Sequence, residues 1–173
     1  MKVVSLLPSA TEIVYALGAG DVLCAVSSDC DYPGEVRDKP VVSSTALPID
    51  ATSSPRDIDD LVRRQLGDSD SIYRLDTSLI QRLRPDLILA QDLCRVCAVP
   101  SGSVEEALDV IGCRADVLSL DPHSIEEVID GVRRVADALG RSRDGRKVAD
   151  DLRARVEAVR RVTKNLQPRC EIE

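Results

Sequence analysis

The residues with the most chemistry in them fall in two short runs. Cys94-Arg-Val-Cys97 sets two thiols at a spacing that lets both sulfurs bind one metal ion or close a redox disulfide. A closed zinc site needs two more ligands, so this pair alone does not make one. Cys30, in the run Ser28-Asp-Cys-Asp-Tyr-Pro-Gly34, is a third ligand if the two loops meet. The single histidine, His123, reads as a loop residue that donates to the start of the next helix. Three chemistries stay open for Cys30, Cys94 and Cys97: free thiols beside a ligand, a metal site that could hold zinc or a metal-bearing ligand, or a redox pair. Cys24, Cys113 and Cys170 sit in or beside strand-like runs and read as small core hydrophobes.

No catalytic constellation accompanies these runs. There is no nucleophile elbow, no phosphate-binding loop and no glycine-rich turn after the first apolar run. With one histidine, a Ser-His-Asp or Cys-His hydrolase would rest on His123 alone. The expectation is a binding protein, not an enzyme.

The elements that must position these residues alternate in type. Lys2–Leu7, Val22–Ser27, Pro40–Ser44, Asp86–Ala90 and Ala115–Leu120 are short, apolar and bounded by turn residues, as buried strands are. Between them stand helix-start signals. Ser9-Ala-Thr-Glu12, Ser103-Val-Glu-Glu106 and Ser124-Ile-Glu-Glu127 have capping-box spacing, and Ser54-Pro-Arg-Asp57 offers a cap, a first-turn proline and an acid. Gly18, Gly112 and Gly140 follow the apolar faces as helix stops. Strands alternating with capped helices predict an α/β chain: a Rossmann-like parallel sheet with helices on both faces. A long backbone helix follows, predicted over Asp144–Gln167. Val148, Leu152, Val156, Val159, Val162 and Leu166 form its apolar stripe.

In such sheets ligands bind beyond the carboxyl ends of the strands. That rule selects Pro8, Ser9, Asp29, Cys30, Tyr32, Thr45, Gln91 and Asp92 as ligand-binding candidates. The chain organises as a ligand-binding lobe over 1–122, helices including the long one over 123–168, and the first residues of something strand-like over 169–173.

Bulk properties narrow the partners. The 173 residues carry a formal charge of −7, which argues against a nucleic-acid backbone as ligand. Three Tyr are the only aromatics, so any cleft lacks large stacking surfaces. No apolar run nears the ~20 residues that span a bilayer. The opening MKVVSLLPSATE is too short for a signal-peptide core, which predicts a cytoplasmic protein with reduced thiols.

Four stretches together resemble one family. Val4-Ser-Leu-Leu-Pro-Ser-Ala-Thr-Glu-Ile-Val-Tyr-Ala-Leu-Gly18, Val26-Ser-Ser-Asp-Cys-Asp-Tyr-Pro33, Leu83-Arg-Pro-Asp-Leu-Ile-Leu-Ala90 and Ser124-Ile-Glu-Glu127 are similar to the vitamin B12-binding and ferric-siderophore-binding proteins of ABC importers. The resemblance implies two α/β lobes joined by a rigid helix, with a cobalamin-like corrinoid or another metal chelate held between them. It equates Asp144–Gln167 with that helix and Arg169–Glu173 with the first strand of a second lobe whose remainder is absent. It further implies docking on a permease through an acidic residue, for which Glu105 and Glu106 are candidates. Where B12 binders close the cleft with aromatics, this chain has Asp29, Thr45 and Gln91, and Ala51–Leu75 resembles an insertion. An apolar helix face left without its lobe would offer a self-association surface.

Overall fold

The computed structural model describes residues 1–48, 54–68, 72–92 and 99–164. Among these residues are six strands and six α-helices, in the order β1 (Val3–Ser5), α1 (Pro8–Ala16), β2 (Leu23–Ser27), β3 (Val41–Thr45), α2 (Pro55–Asp68), β4 (Tyr73–Leu75), α3 (Thr77–Leu83), β5 (Leu87–Ala90), α4 (Ser101–Ile111), β6 (Asp116–Ser119), α5 (Ile125–Ala138) and α6 (Ser142–Thr163). They form one sheet in the order β4-β3-β2-β1-β5-β6. All neighbours are parallel except the edge pair β3–β4, where Ser43 faces Leu75 and Thr45 faces Tyr73. The α/β sheet expected from the sequence is therefore present, with one antiparallel edge strand added. β4 was not anticipated: three residues are too few to show a period of two.

Successive side chains of a strand leave on opposite faces, so each central strand feeds two cores. Val3, Leu23, Leu87 and Leu89 pack under α1 and α5 with Ala10, Val14, Val132 and Val135. Val4, Ala25, Val42 and Ile88 pack on the other side with Ile80 of α3 and Val104 and Leu108 of α4. Burial on both faces is why the strands read as unbroken apolar runs.

Helix starts were partly misread. Ser54 and Asp57 do cap each other, backbone N–H to side chain in both directions at 3.2 Å. Ser124 accepts the Glu127 N–H at 3.2 Å, and Glu127 accepts the His123 N–H at 2.7 Å. The other two boxes do not form. α1 begins one residue before Ser9, because Pro8 has the helical φ and no N–H to satisfy. α4 begins at Ser101, two residues before Ser103.

The long helix also differs from expectation. Its first turns are held tightly: Gly145 and Ala149 are buried, and Val148 and Leu152 pack on the core. Arg153 reaches Glu126 at 3.3 Å and Asp130 at 3.5 Å, and Arg133 reaches Asp150 at 4.0 Å, so ion pairs tie α6 to α5. Beyond them the stripe lapses. Val159 and Val162 are 62% and 77% exposed and stand among Arg155, Glu157, Arg160, Arg161 and Lys164. α6 is not a long apolar helix, and the self-association surface expected from it loses its premise. No helix among the described residues is long and apolar enough to cross a membrane.

Candidate functional site

The chain leaves β1 through α1 on one face of the sheet and leaves β5 through α4 on the other. Because β1 and β5 are hydrogen-bonded neighbours, their outgoing loops part company at the carboxyl edge and open a crevice. A cavity of about 310 Å³ lies there. Ser9 after β1, Gln91 after β5, and Leu120, Asp121 and Pro122 after β6 form its edge. Ile13 of α1 and Val128 and Gly131 of α5 give it an apolar floor. Glu127, Asp130 and Arg134, also from α5, carry the charge.

The carboxylates at the cavity already have donors. Asp121 accepts the Asp92 N–H, and the Ser119 hydroxyl lies 2.8 Å from its other oxygen. Glu127 accepts from His123, and Asp130 faces Arg133 and Arg153. Arg134 is exposed at the rim.

The candidate residues divide among several places. Pro8, Ser9 and Gln91 gather at the crevice or its margin. Tyr32, 66% exposed, lines a neighbouring apolar groove of about 910 Å³ that shares Ser9, Ile13 and Val128 with the cavity. Asp29 and Thr45 lie at the other end of the edge: the Tyr73 hydroxyl donates to Asp29 at 3.1 Å, and Tyr73 faces Thr45 across the β3–β4 ladder.

Asp92 is turned toward the second layer. It accepts the Ser101 N–H at 2.7 Å and the Ser101 hydroxyl at 2.5 Å, with the Ser119 hydroxyl at 2.9 Å. Partial burial alone would raise this carboxyl. The bonds from Ser101 and Ser119 outweigh it and hold Asp92 below the usual carboxylate range. Asp92 thus does for α4 what the expected box at Ser103 does not.

Cys30 is 5% exposed, packed with Val26 and Val36, not presented at the cleft edge. Its sulfur is 3.1 Å from the Thr11 hydroxyl, which in turn is 2.8 Å from Ser5 Oγ. Burial pushes its thiol up, and the Thr11 contact only partly offsets that. Cys24 is raised by burial as well. Cys94 and Cys97 lie outside the described residues, as do Cys170 and the 169–173 segment. Among the described residues no group of three or more His, Cys, Asp or Glu is placed to hold a metal ion. Glu105 and Glu106 are exposed on α4.

Sequence reasoning missed Asp121, Pro122 and the α5 residues of the cavity. The signal was available: the carboxyl-edge rule applied to the strand ending at Leu120 names Asp121 and Pro122 directly.

Comparison with known proteins places this geometry among relatives. No family model matches the sequence. The chain is 26% identical over 171 residues, 98% of its length, to an uncharacterized ABC transporter substrate-binding lipoprotein, YvrC, of Bacillus subtilis, of which it covers 42%. It is 26% identical over 168 residues to the vitamin B12-binding protein of Vibrio cholerae, covering 96% of itself and 48% of that protein. The chain thus spans about half the length of these relatives. In fold it resembles the periplasmic vitamin B12-binding protein BtuF of Vibrio cholerae, with a TM-score of 0.66 at 23% identity over 96% of this chain and 52% of that one. It resembles equally the periplasmic haem-binding protein RhuT of Roseiflexus, with a TM-score of 0.66 over 96% of this chain and 51% of that one.

These relatives correct the cytoplasmic expectation. They are lipoprotein or periplasmic proteins, so the composition of the first residues was the wrong guide, and the argument for reduced thiols falls with it. By sequence, and with a fold that agrees, the chain is similar to substrate-binding proteins of ABC importers, vitamin B12-binding proteins among them.

Proposed function

We propose that this chain supplies one wall of a binding site for a cobalamin-like corrinoid or another metal chelate, and acts by binding, without catalysis. The observation that carries this reading is the cavity between the diverging loops of β1 and β5, in a chain whose relatives bear the name vitamin B12-binding protein. In this reading residues 1–122 form the lobe. Helices α5 and α6, within 123–168, brace it and lead toward the second wall. Pro8, Ser9 and Gln91 contact the ligand directly, and Tyr32, Asp29 and Thr45 border it. Exposed Glu105 and Glu106 on α4 are the acids offered to a permease.

One wall provides part of the contact area, so affinity for the chain alone is expected to be modest. The test is a titration with cyanocobalamin, haem and a ferric chelate, followed in the visible spectrum. A saturable shift with any of them supports the reading. The absence of a shift with all three sinks it.

A further inference from the structure

Three small polar side chains are sealed between β1, α1 and the loop after β2, and the binding reading gives them no part. Ser5 and Thr11 are 0% exposed and Cys30 is 5% exposed. The Ser5 hydroxyl lies 3.0 Å from the Leu7 carbonyl oxygen, the Thr11 hydroxyl 2.8 Å from Ser5 Oγ, and Cys30 Sγ 3.1 Å from Thr11 Oγ1. The Leu7 carbonyl also accepts the Thr11 N–H, at 3.2 Å. Cys30 sits in an apolar nest with Val26 and Val36, against which Tyr15 packs.

Each of the two hydroxyls, and the thiol, carries one proton. A carbonyl oxygen has none to give, so the contact between Ser5 and Leu7 uses the Ser5 proton. The contact between Thr11 and Ser5 then uses the Thr11 proton, and only the S–H is left for the contact between Cys30 and Thr11. Run this way, three protons make three bonds, from Cys30 to Thr11 to Ser5 to Leu7. Run the other way, the same protons fill only two of the three contacts. In a buried place an unmade bond costs more than a made one gains, so the first order is favoured. A sulfur stripped of its proton could only accept. Thr11 would then turn to it and withdraw its proton from Ser5.

We infer that Cys30 is a positioning residue: its neutral thiol donates to Thr11, and the row of bonds it starts fastens the loop after β2 to the turn after β1. Both segments carry candidate ligand contacts. Asp29 and Tyr32 stand on either side of the thiol in one, and Pro8 and Ser9 follow Leu7 in the other. The loop is held from its far side as well, where the Tyr73 hydroxyl donates to Asp29 at 3.1 Å and the Ser28 N–H to the Ser43 carbonyl at 2.8 Å. This role differs from the metal and redox roles open to a thiol, which need the sulfur ionised and within reach. The inference goes beyond the binding reading and uses it only for what the two segments do.

The test is the infrared S–H stretch of the whole chain, which falls in frequency when a thiol donates and stays near the free value when its sulfur only accepts. Subtracting the spectrum of Cys30→Ala from that of the parent assigns the Cys30 band, and a thermal melt checks the folding of each variant. The parent band is expected below the free-thiol frequency, and Thr11→Val is expected to return it to that frequency. A parent band at the free frequency overturns the inference, whether or not Thr11→Val folds. So does a band that Thr11→Val leaves lowered. Hydrogen exchange read by mass spectrometry tests the fastening. Cys30→Ala should speed exchange over residues 28–32 by roughly five-fold and leave β5 unchanged. Cys30→Ser, which keeps a donor, should exchange like the parent. Parental exchange in Cys30→Ala, or an equal rise over the whole sheet, overturns the positioning role. No ligand enters these measurements, so the inference can fail while the binding reading stands, and the reverse.

Discussion

The carboxylate of Asp92 holds Ser101 twice, once by its N–H at 2.7 Å and once by its hydroxyl at 2.5 Å. Asp92 leaves the carboxyl end of β5 and Ser101 opens α4, so this one contact fixes the start of a helix to the strand that precedes it in the chain. A negative group at a helix N-terminus also meets the positive end of the helix dipole.

Replacing Asp92 by Ala is therefore expected to destabilise the fold by about 1 kcal/mol, the usual worth of an N-terminal cap. The effect depends on pH with a definite sign. The folded-state value of Asp92 is depressed, so its contribution is fully present above the unfolded aspartate value of about 3.9. It fades as pH falls through the lower folded value. Urea melts of parent and Asp92→Ala should differ at pH 7, and the difference should shrink as pH falls below the unfolded aspartate value. A difference that grows on acidification would show that the contact does not act through ionised Asp92.

Thr11 is expected to matter through what it touches. Its buried hydroxyl links Ser5 Oγ and Cys30 Sγ. Thr11→Val keeps the shape and takes one contact from each of two buried polar atoms, while Ser5 Oγ keeps its bond to the Leu7 carbonyl; the expected cost is about 1 kcal/mol. It also removes the contact that favours the Cys30 thiolate, so the thiol should titrate still higher. In the native protein Cys30 is expected to resist a thiol reagent that labels it readily in denaturant. Peptide mapping after timed labelling measures this, and rapid native labelling of Cys30 would contradict the burial.

A Cβ at Gly145 would collide with the Ala136 Cβ of α5. Gly145→Ala should therefore destabilise by about 1–3 kcal/mol through overpacking, although alanine is the better helix former. Gly145→Ala combined with Ala136→Gly should recover part of that loss. A double-mutant cycle read by thermal melts decides, with additive effects counting against the contact.

The ion pairs between α5 and α6 are expected to contribute little one at a time. Arg153, Glu126 and Asp130 are part-exposed, and such pairs are worth roughly 0–1 kcal/mol. Arg153→Met, which keeps the apolar stem over α5, should lower the melting temperature slightly in dilute buffer and not measurably in 1 M salt. A large loss in high salt would mean that the stem, not the charge, holds α6.

Much of this architecture was legible because burial on both faces leaves an imprint in single strands. Val3 and Val4 feed different cores, and so each parallel strand showed as an apolar run. Helix ends were less legible. Ser9, Ser103 and Ser124 all head the same S-x-x-E pattern, yet only Ser124 caps, because the pattern does not record competitors: Pro8 starts α1 first, and Asp92 reaches Ser101 from across the sheet edge. The cavity was half legible for a related reason. Ser9 and Gln91 follow strands directly, whereas Gly131 and Asp130 enter from the middle of a helix, and only packing brings that helix to the edge.

α6 is a lever as well as a helix. Its 22 residues measure about 33 Å from end to end, while its grip on the lobe lies in the first half, around Gly145, Ala149 and Arg153. A tilt of about 10° at that grip would carry Thr163 by roughly 5 Å. The aim of the far end is thus decided at a contact with no side chain on one side and a single methyl on the other. A substitution at Gly145 or Ala136, neither of which lines the cavity or the groove beside it, would re-point whatever the outer turns address without disturbing the sheet.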